Sequence, residues 1–408
     1  MGAKGAAHRS ARRYSRAMND TTLPPLGAAI REKWHLDPAA LTVNHGSFGA
    51  TPKSVLAAQD EWRQRMEAQP TRFMALTLPE ALRAAAGRLA SFLGARAEDV
   101  AFTDNATTGC NAILRSLRLA PGDEILMLDH GYGAVKNTAR HVAALAGARM
   151  VEAALPFPRP DGDAIVAAMS VALTPRTRLV VIDHITSPSA LVLPIAPIIA
   201  ACHAAGARVL IDGAHGPGQV DLDLDALGAD WYAGNCHKWL MAPKGCAFLW
   251  ARADRQDDLH PVAISHGYGK GYLAEFDWTG TRDPSAFLAV GAAIDFYEGL
   301  GGARLARRNT ALAAEAGNLL ARRFGTECGS TGDTRGAMAL VRLPILGPVD
   351  QARALVLRQR LLRDHATDAP LNAIGGAVWL RLSAQAYNEI GDYERLGDIV
   401  ERLVRDNR

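Results

Sequence analysis

The stretch Val209-Leu210-Ile211-Asp212-Gly213-Ala214-His215-Gly216 is an apolar run that stops on a carboxylate and a glycine-containing turn. Lys238, between His237 and Trp239, follows 26 residues after Asp212, and Pro243-Lys244-Gly245 comes soon after. The run reads as a buried strand. Ligands of open α/β sheets sit beyond the carboxyl ends of their strands, which places Asp212 at a ligand site. Comparable runs at 100–102, 125–128, 179–182 and 208–211, separated by amphipathic segments such as 195–205, predict an α/β fold with a mostly parallel central sheet covered by helices on both faces. Runs at 229–233 and 246–251 lie too close together for a crossover helix and predict at least one edge or mixed pairing. Thr51-Pro52 has the order of a helix start.

After Gly299-Leu300-Gly301-Gly302 the pattern changes to a long helix at 303–324, a strand at 338–343, a helix from Asp350, a strand at 377–382 and a closing helix from Asp392. This predicts a basic, disordered tail over 1–22, a large ligand-binding domain over 23–295 and a smaller α+β domain over 296–408. The first twenty or so residues of the large domain are free to pack on the small one. Apolar residues form 49% of the 408 and charged residues 21%, which excludes a mainly disordered or fibrous chain. The net charge of +3 gathers in the tail, where His8, Arg9, Arg12, Arg13 and Arg16 meet only Asp20, so the nearly neutral body excludes nucleic acid as the main partner. Five scattered cysteines without CxxC spacing point away from disulfides and metal and toward a reducing cytoplasm. The richest apolar stretch, 191–202, is broken by Pro194 and Pro197, which argues against a membrane span.

Asp212 alone reads as a turn residue and Lys238 alone as a surface lysine. Together with a phosphate cradle they match what pyridoxal 5′-phosphate requires: an amine to join it, an acid to hold the pyridine proton, and donors for the phosphate. The cradle is Asn105-Ala106-Thr107-Thr108, which follows a strand and opens a helix, where backbone N–H groups and the helix dipole favour a dianion.

Asn44-His45-Gly46-Ser47-Phe48-Gly49, Gln69-Pro70-Thr71-Arg72-Phe73, Asn105 to Thr108, Asp129-His130-Gly131-Tyr132, Asp212 to His215, His237-Lys238, Asp277-Trp278-Thr279-Gly280-Thr281-Arg282-Asp283 and Arg381-Leu382-Ser383 together resemble the class V aminotransferase family of fold-type I pyridoxal phosphate enzymes, in its isopenicillin N epimerase-like branch. The resemblance implies roles. Lys238 would be the Schiff-base lysine and proton carrier, Asp212 the partner of the pyridine nitrogen, and His215 the donor to the phenolic oxygen. Tyr132 would lie over the cofactor. Asn105, Ala106, Thr107 and His237 would face the phosphate, and Thr281 would reach it from a neighbouring subunit, which implies a homodimer with its site at the interface. Arg381 would bind the carboxylate of a small amino-acid substrate, with Asn44, Arg72 and Arg282 as further polar contacts. Tyr132 and His45 are the candidates for the second acid–base that epimerisation requires, although for His45 a structural hydrogen bond is the role expected.

Desulfurases of this family carry a nucleophilic cysteine about 15 residues before the carboxylate arginine, and residues 364–378 contain none. Persulfide transfer is therefore disfavoured. The resemblance implies an epimerase first, with a carbon–sulfur β-lyase or an aminotransferase as alternatives.

Overall fold

The structure, a computed structural model, describes residues 24–405; the predicted tail lies outside them. Seven strands form the central sheet: β1 (Val100–Thr103), β2 (Glu124–Leu128), β3 (Arg149–Ala153), β4 (Thr177–Asp183), β5 (Arg208–Gly213), β6 (Trp231–Asn235) and β7 (Ala247–Ala251). Their order is β1-β7-β6-β5-β4-β2-β3. Only β7 runs antiparallel to its neighbours, β6 and β1. That reversal is the mixed pairing expected from the closeness of the last two apolar runs. The segment joining β6 to β7 therefore turns back at the carboxyl edge of the sheet, and Lys238 lies in it.

Helices α1 (Ala106–Ser116), α2 (Gly133–Leu145), α3 (Gly162–Ala172) and α4 (Ile195–Ala204) make the crossovers between the parallel strands. Strand alternation divides each apolar run between two cores. Leu126, Leu128, Val180, Ile182, Val209 and Ile211 pack with α3, α4 and the helix Leu78–Leu93. Ile125, Met127, Leu179, Val181 and Leu210 pack with α1 and α2 on the opposite face. Such two-sided burial is why these runs are continuous rather than alternating. Strand β3 is the exception. It is an edge strand with Arg149 and Glu152 open to solvent, so its sequence carries no comparable run.

Beyond the central sheet, α5 (Ala303–Phe324), β8 (Met338–Arg342), α6 (Gln351–His365), β9 (Leu371–Ile374), β10 (Ala377–Ser383) and α7 (Ile390–Arg405) form a three-stranded antiparallel sheet, ordered β9-β10-β8, with its own apolar core. Asp350 caps α6 by accepting the Arg353 N–H. Leu41 and Val43 join this second core, and Leu41–Thr42 pairs in parallel with Thr367–Asp368. The helix expected after Thr51 is Lys53–Ala68, entered through Pro52, while the Thr51 hydroxyl donates to the Ala242 carbonyl instead of capping it. Among the described residues no helix is long and apolar enough to cross a membrane.

The turn after β5 depends on its glycines. The buried Tyr232 ring lies where a Cβ on Gly213 or Gly216 would project, and the ring is held in place by Phe248, stacked at 6.0 Å, and by a 3.0 Å bond between its hydroxyl and His184. Gly213→Ala is expected to lose about 1–3 kcal/mol through this overlap. A fall in the thermal unfolding midpoint checks it, and an unchanged midpoint would show that the ring yields.

Candidate active site

The carboxyl ends of β1, β4, β5 and β6 converge on a cavity of about 380 Å³, lined by Asn105, Ala106 and Thr107, by Asp183, by Asp212, Ala214 and His215, and by Asn235, His237 and Lys238. Its volume lies in the range of small-molecule sites. Tyr132, at the start of α2, and Ser47, Phe48 and Ser187 complete the wall.

Lys238 is half-buried, and its Nζ lies 3.2 Å from His215 Nε2. The indole N–H of Trp239 donates to His215 Nδ1 at 3.2 Å. Indole can only donate, so Nδ1 must accept, and a neutral His215 carries its proton on Nε2. That N–H points at Lys238, which can receive it only as a free amine. Burial, and then the charge of Arg381, lower the Lys238 pKa to about 8, against the opposing pull of Asp212 and Asp183. Burial and the nearby Lys238 hold His215 well below its ordinary range. The geometry thus presents a lysine that gives up its proton more readily than an exposed one, with a pKa of about 8. The same His215 N–H is the donor that the phenolic oxygen of the cofactor would need.

Asp212 is 3% exposed and accepts the Ala214 N–H at 3.1 Å. Asp183 is its register partner on β4 and is equally enclosed. Burial raises both carboxyls, and for Asp183 the charge of Asp212 adds to it. A protonated pyridine nitrogen beside Asp212 would relieve this crowding of like charge.

Asn105 is the N-cap of α1: its Oδ1 accepts the Thr108 N–H at 2.8 Å. The Ala106 N–H is taken by Asn235 Oδ1 at 2.8 Å, while Ala106 itself lines the cavity beside Asn105. Thr107 and His237 line the cavity beside the helix start. His237 donates from Nδ1 to the Cys246 carbonyl at 3.1 Å, and burial lowers its pKa to about 4; a dianion at Nε2 would raise it.

Arg381, on β10, is 4% exposed. Nη1 donates to the Ser187 carbonyl at 2.6 Å, and Nη2 donates to Asn44 Oδ1 at 3.1 Å and Ser47 Oγ at 2.8 Å. Its buried Nε has no partner among the described residues. Neither Arg381 nor Asn44 lines the cavity itself; Arg381 lies behind Ser47 and Ser187, which do, and its orphan nitrogen suits a carboxylate that displaces them.

The structure does not bring every expected residue to the cavity. His45 is 2% exposed, with one ring nitrogen bonded to the Tyr387 hydroxyl at 2.9 Å and the other to the Lys238 carbonyl at 3.0 Å. Burial lowers its pKa to about 4, so His45 is a brace for the lysine loop and not a second acid–base. Arg72 and Thr281 are exposed outside the cavity, and Arg282 is bound to Asp104 at 2.6 Å over the Phe287 ring. Asp183, Asn235, Ser47 and Ser187 are additions that the sequence reading missed. Asp183 carried a usable signal, since it ends an apolar run as Asp212 does. No cysteine lines the cavity, and Cys328 packs against Asn318 of α5.

The chain matches the class-V aminotransferase family over residues 48–396. It is 37% identical to a protein named putative L-cysteine desulfhydrase 1 of Oryza sativa subsp. japonica, over 93% of this chain and 86% of that one. It is 36% identical to isopenicillin N epimerase of Amycolatopsis lactamdurans, over 93% and 98%. Among solved structures, the cysteine desulfurase of Thermococcus onnurineus NA1 superposes with a TM-score of 0.78 at 19% identity, over 95% of this chain and all of the other, which marks the fold as type I.

Only a neutral amine adds to an aldehyde. The reaction of Lys238 with pyridoxal phosphate, followed by borohydride trapping, is therefore expected to speed up about tenfold per pH unit below about 8 and level off above it. Trp239→Phe frees the other His215 tautomer, which can accept from an ammonium, and is expected to move this midpoint upward. A midpoint unchanged from the parent would contradict the tautomer argument.

Proposed function

The chain belongs to the class-V aminotransferase family and is an enzyme whose cofactor is pyridoxal 5′-phosphate; we propose that it is a carbon–sulfur β-lyase, acting on cysteine or a cysteine conjugate. The donor set fits the cofactor: a half-buried amine with a lowered pKa, a buried carboxylate with no basic side chain hydrogen-bonded to it among the described residues, and a helix start beside His237. When bound, pyridoxal phosphate withdraws electrons from the substrate α-carbon.

Arg381 holds the substrate carboxylate and so sets which α-carbon bond faces Lys238. Lys238 Nζ takes the α-proton. The Cβ–S bond then breaks with its electron pair on sulfur, and the departing thiolate is protonated. Water hydrolyses the released enamine, so cysteine and water give pyruvate, ammonia and hydrogen sulfide.

One observation carries this reading: Lys238 is the one amine lining the cavity among the described residues, while His45 is sealed away from it. Elimination needs a single base, whereas epimerisation needs proton exchange on both faces of the α-carbon. Similarity to proteins named desulfhydrases supports the same choice. Epimerisation is the second reading, favoured by Tyr132, whose ring lines the cavity.

A homodimer and a reducing, cytoplasmic setting belong to this proposal. Phe48 is 66% exposed at the cavity, Val262, Ile264 and Tyr268 are more than half exposed, and Thr281 lies outside its own cavity. A second copy would cover the apolar residues and bring its 280–281 segment to this site.

Incubation of the enzyme with L-cysteine in deuterated water is expected to give equimolar pyruvate, ammonia and sulfide. Lys238→Ala is expected to slow this at least about 10²-fold, the scale of a lost general base. Deuterium incorporation with loss of optical purity and no pyruvate would favour the epimerase. Keto acid formed only with an amino acceptor would contradict both.

A further inference from the structure

We propose that Asp368 is a positioning residue for the substrate carboxylate: through Asn44 it locks the guanidinium of Arg381 against Ser47 and Ser187, which line the cavity. The inference rests on the reading above in which Arg381 binds that carboxylate.

The two ends of an asparagine amide are nearly equal in shape and opposite in hydrogen bonding. Arg381 can only donate, so it needs the Asn44 oxygen, which it reaches at 3.1 Å. Ser47 Oγ donates to that same oxygen at 2.8 Å. On the other side, Asn44 Nδ2 donates to Asp368 Oδ2 at 2.7 Å. An ionised carboxylate cannot donate, so the amide cannot turn over. Reversed, it would set N–H against N–H at Arg381 and oxygen against oxygen at Asp368, in a place where Asn44 is 7% and Arg381 4% exposed. Arg358 Nη2 donates to the other Asp368 oxygen at 3.0 Å and holds the carboxylate in place. The backbone fixes this arrangement too, since Asp368 is the register partner of Thr42, two residues before Asn44.

Asn44 Oδ1 and the Ser187 carbonyl are thus fixed acceptors for Arg381. The Ser47 and Ser187 hydroxyls, which line the cavity, are its exchangeable partners, and Nε has none. A carboxylate entering the cavity displaces hydroxyls, not fixed acceptors. The substrates so selected are α-amino acids with a free carboxylate, discriminated from amines that lack it.

The test measures dissociation constants of the holoenzyme for L-alanine and for ethylamine, its decarboxylated counterpart, from changes in the visible spectrum. The parent is expected to prefer L-alanine. Asp368→Ala is expected to shrink that preference about tenfold, with ethylamine binding little changed. Asp368→Asn is expected to recover part of it, because its side-chain oxygen can accept the same Asn44 N–H. Equal losses for both ligands, or an unchanged ratio, would overturn the proposal. A parent enzyme with no preference for L-alanine would instead overturn the assignment of Arg381. Should Asp368→Ala fail to retain cofactor, Arg358→Gln removes only the outer partner and is expected to shift the ratio in the same direction; an unchanged ratio there counts against the proposal.

Discussion

The amine of Lys238 sits where its charge is poorly solvated, and the rest of the site is arranged around that fact. Burial favours the neutral form, Arg381 adds repulsion, and Asp212 and Asp183 pull the other way; the desolvation is the largest of these, and the outcome is a pKa of about 8. The Trp239–His215 pair adds direction to this balance, because a donor-only indole dictates which imidazole nitrogen carries the proton that meets the lysine. His45 then ties the Lys238 carbonyl to Tyr387 and fixes the loop from behind. A reactive nitrogen near neutrality is thus a property of the packing and not of the lysine alone.

The fold delivers these groups by strand direction. Four parallel strands end at one edge with Thr103, Asp183, Gly213 and Asn235, and the antiparallel β7 forces the segment carrying His237 and Lys238 back to that edge. The C-terminal sheet adds Arg381 from β10, and residues 41–44 tie the two parts together: Leu41 packs in the second core while Asn44 binds both Arg381 and Asp368. The proposed carboxylate site therefore lies where the two cores meet, with its supporting charges, Asp368 and Arg358, lying outside the cavity.

Much of this was legible in the sequence for a physical reason. Strands buried on both faces must be continuously apolar, so β2, β4, β5 and β7 stood out, whereas the solvent-edged β3 did not. Asp212 was readable because it ends an apolar run, and Lys238 because it follows that carboxylate at a short chain distance beside His237. Asp183 obeys the same rule and was overlooked. Other features were hidden because a residue type does not declare its partner. The Ala106 amide is spent on Asn235, His45 is spent on Tyr387 and a carbonyl, and Arg282 is spent on Asp104. The Asp368–Asn44–Arg381 chain links positions more than three hundred residues apart, which no local pattern encodes.

Borohydride reduction of the holoenzyme followed by peptide mass spectrometry tests the account at its centre. The reduced cofactor is expected on the peptide containing Lys238, at that residue, with the visible absorbance lost in parallel. Attachment at Lys244 or any other lysine, or a bleached protein with no adduct, would contradict it.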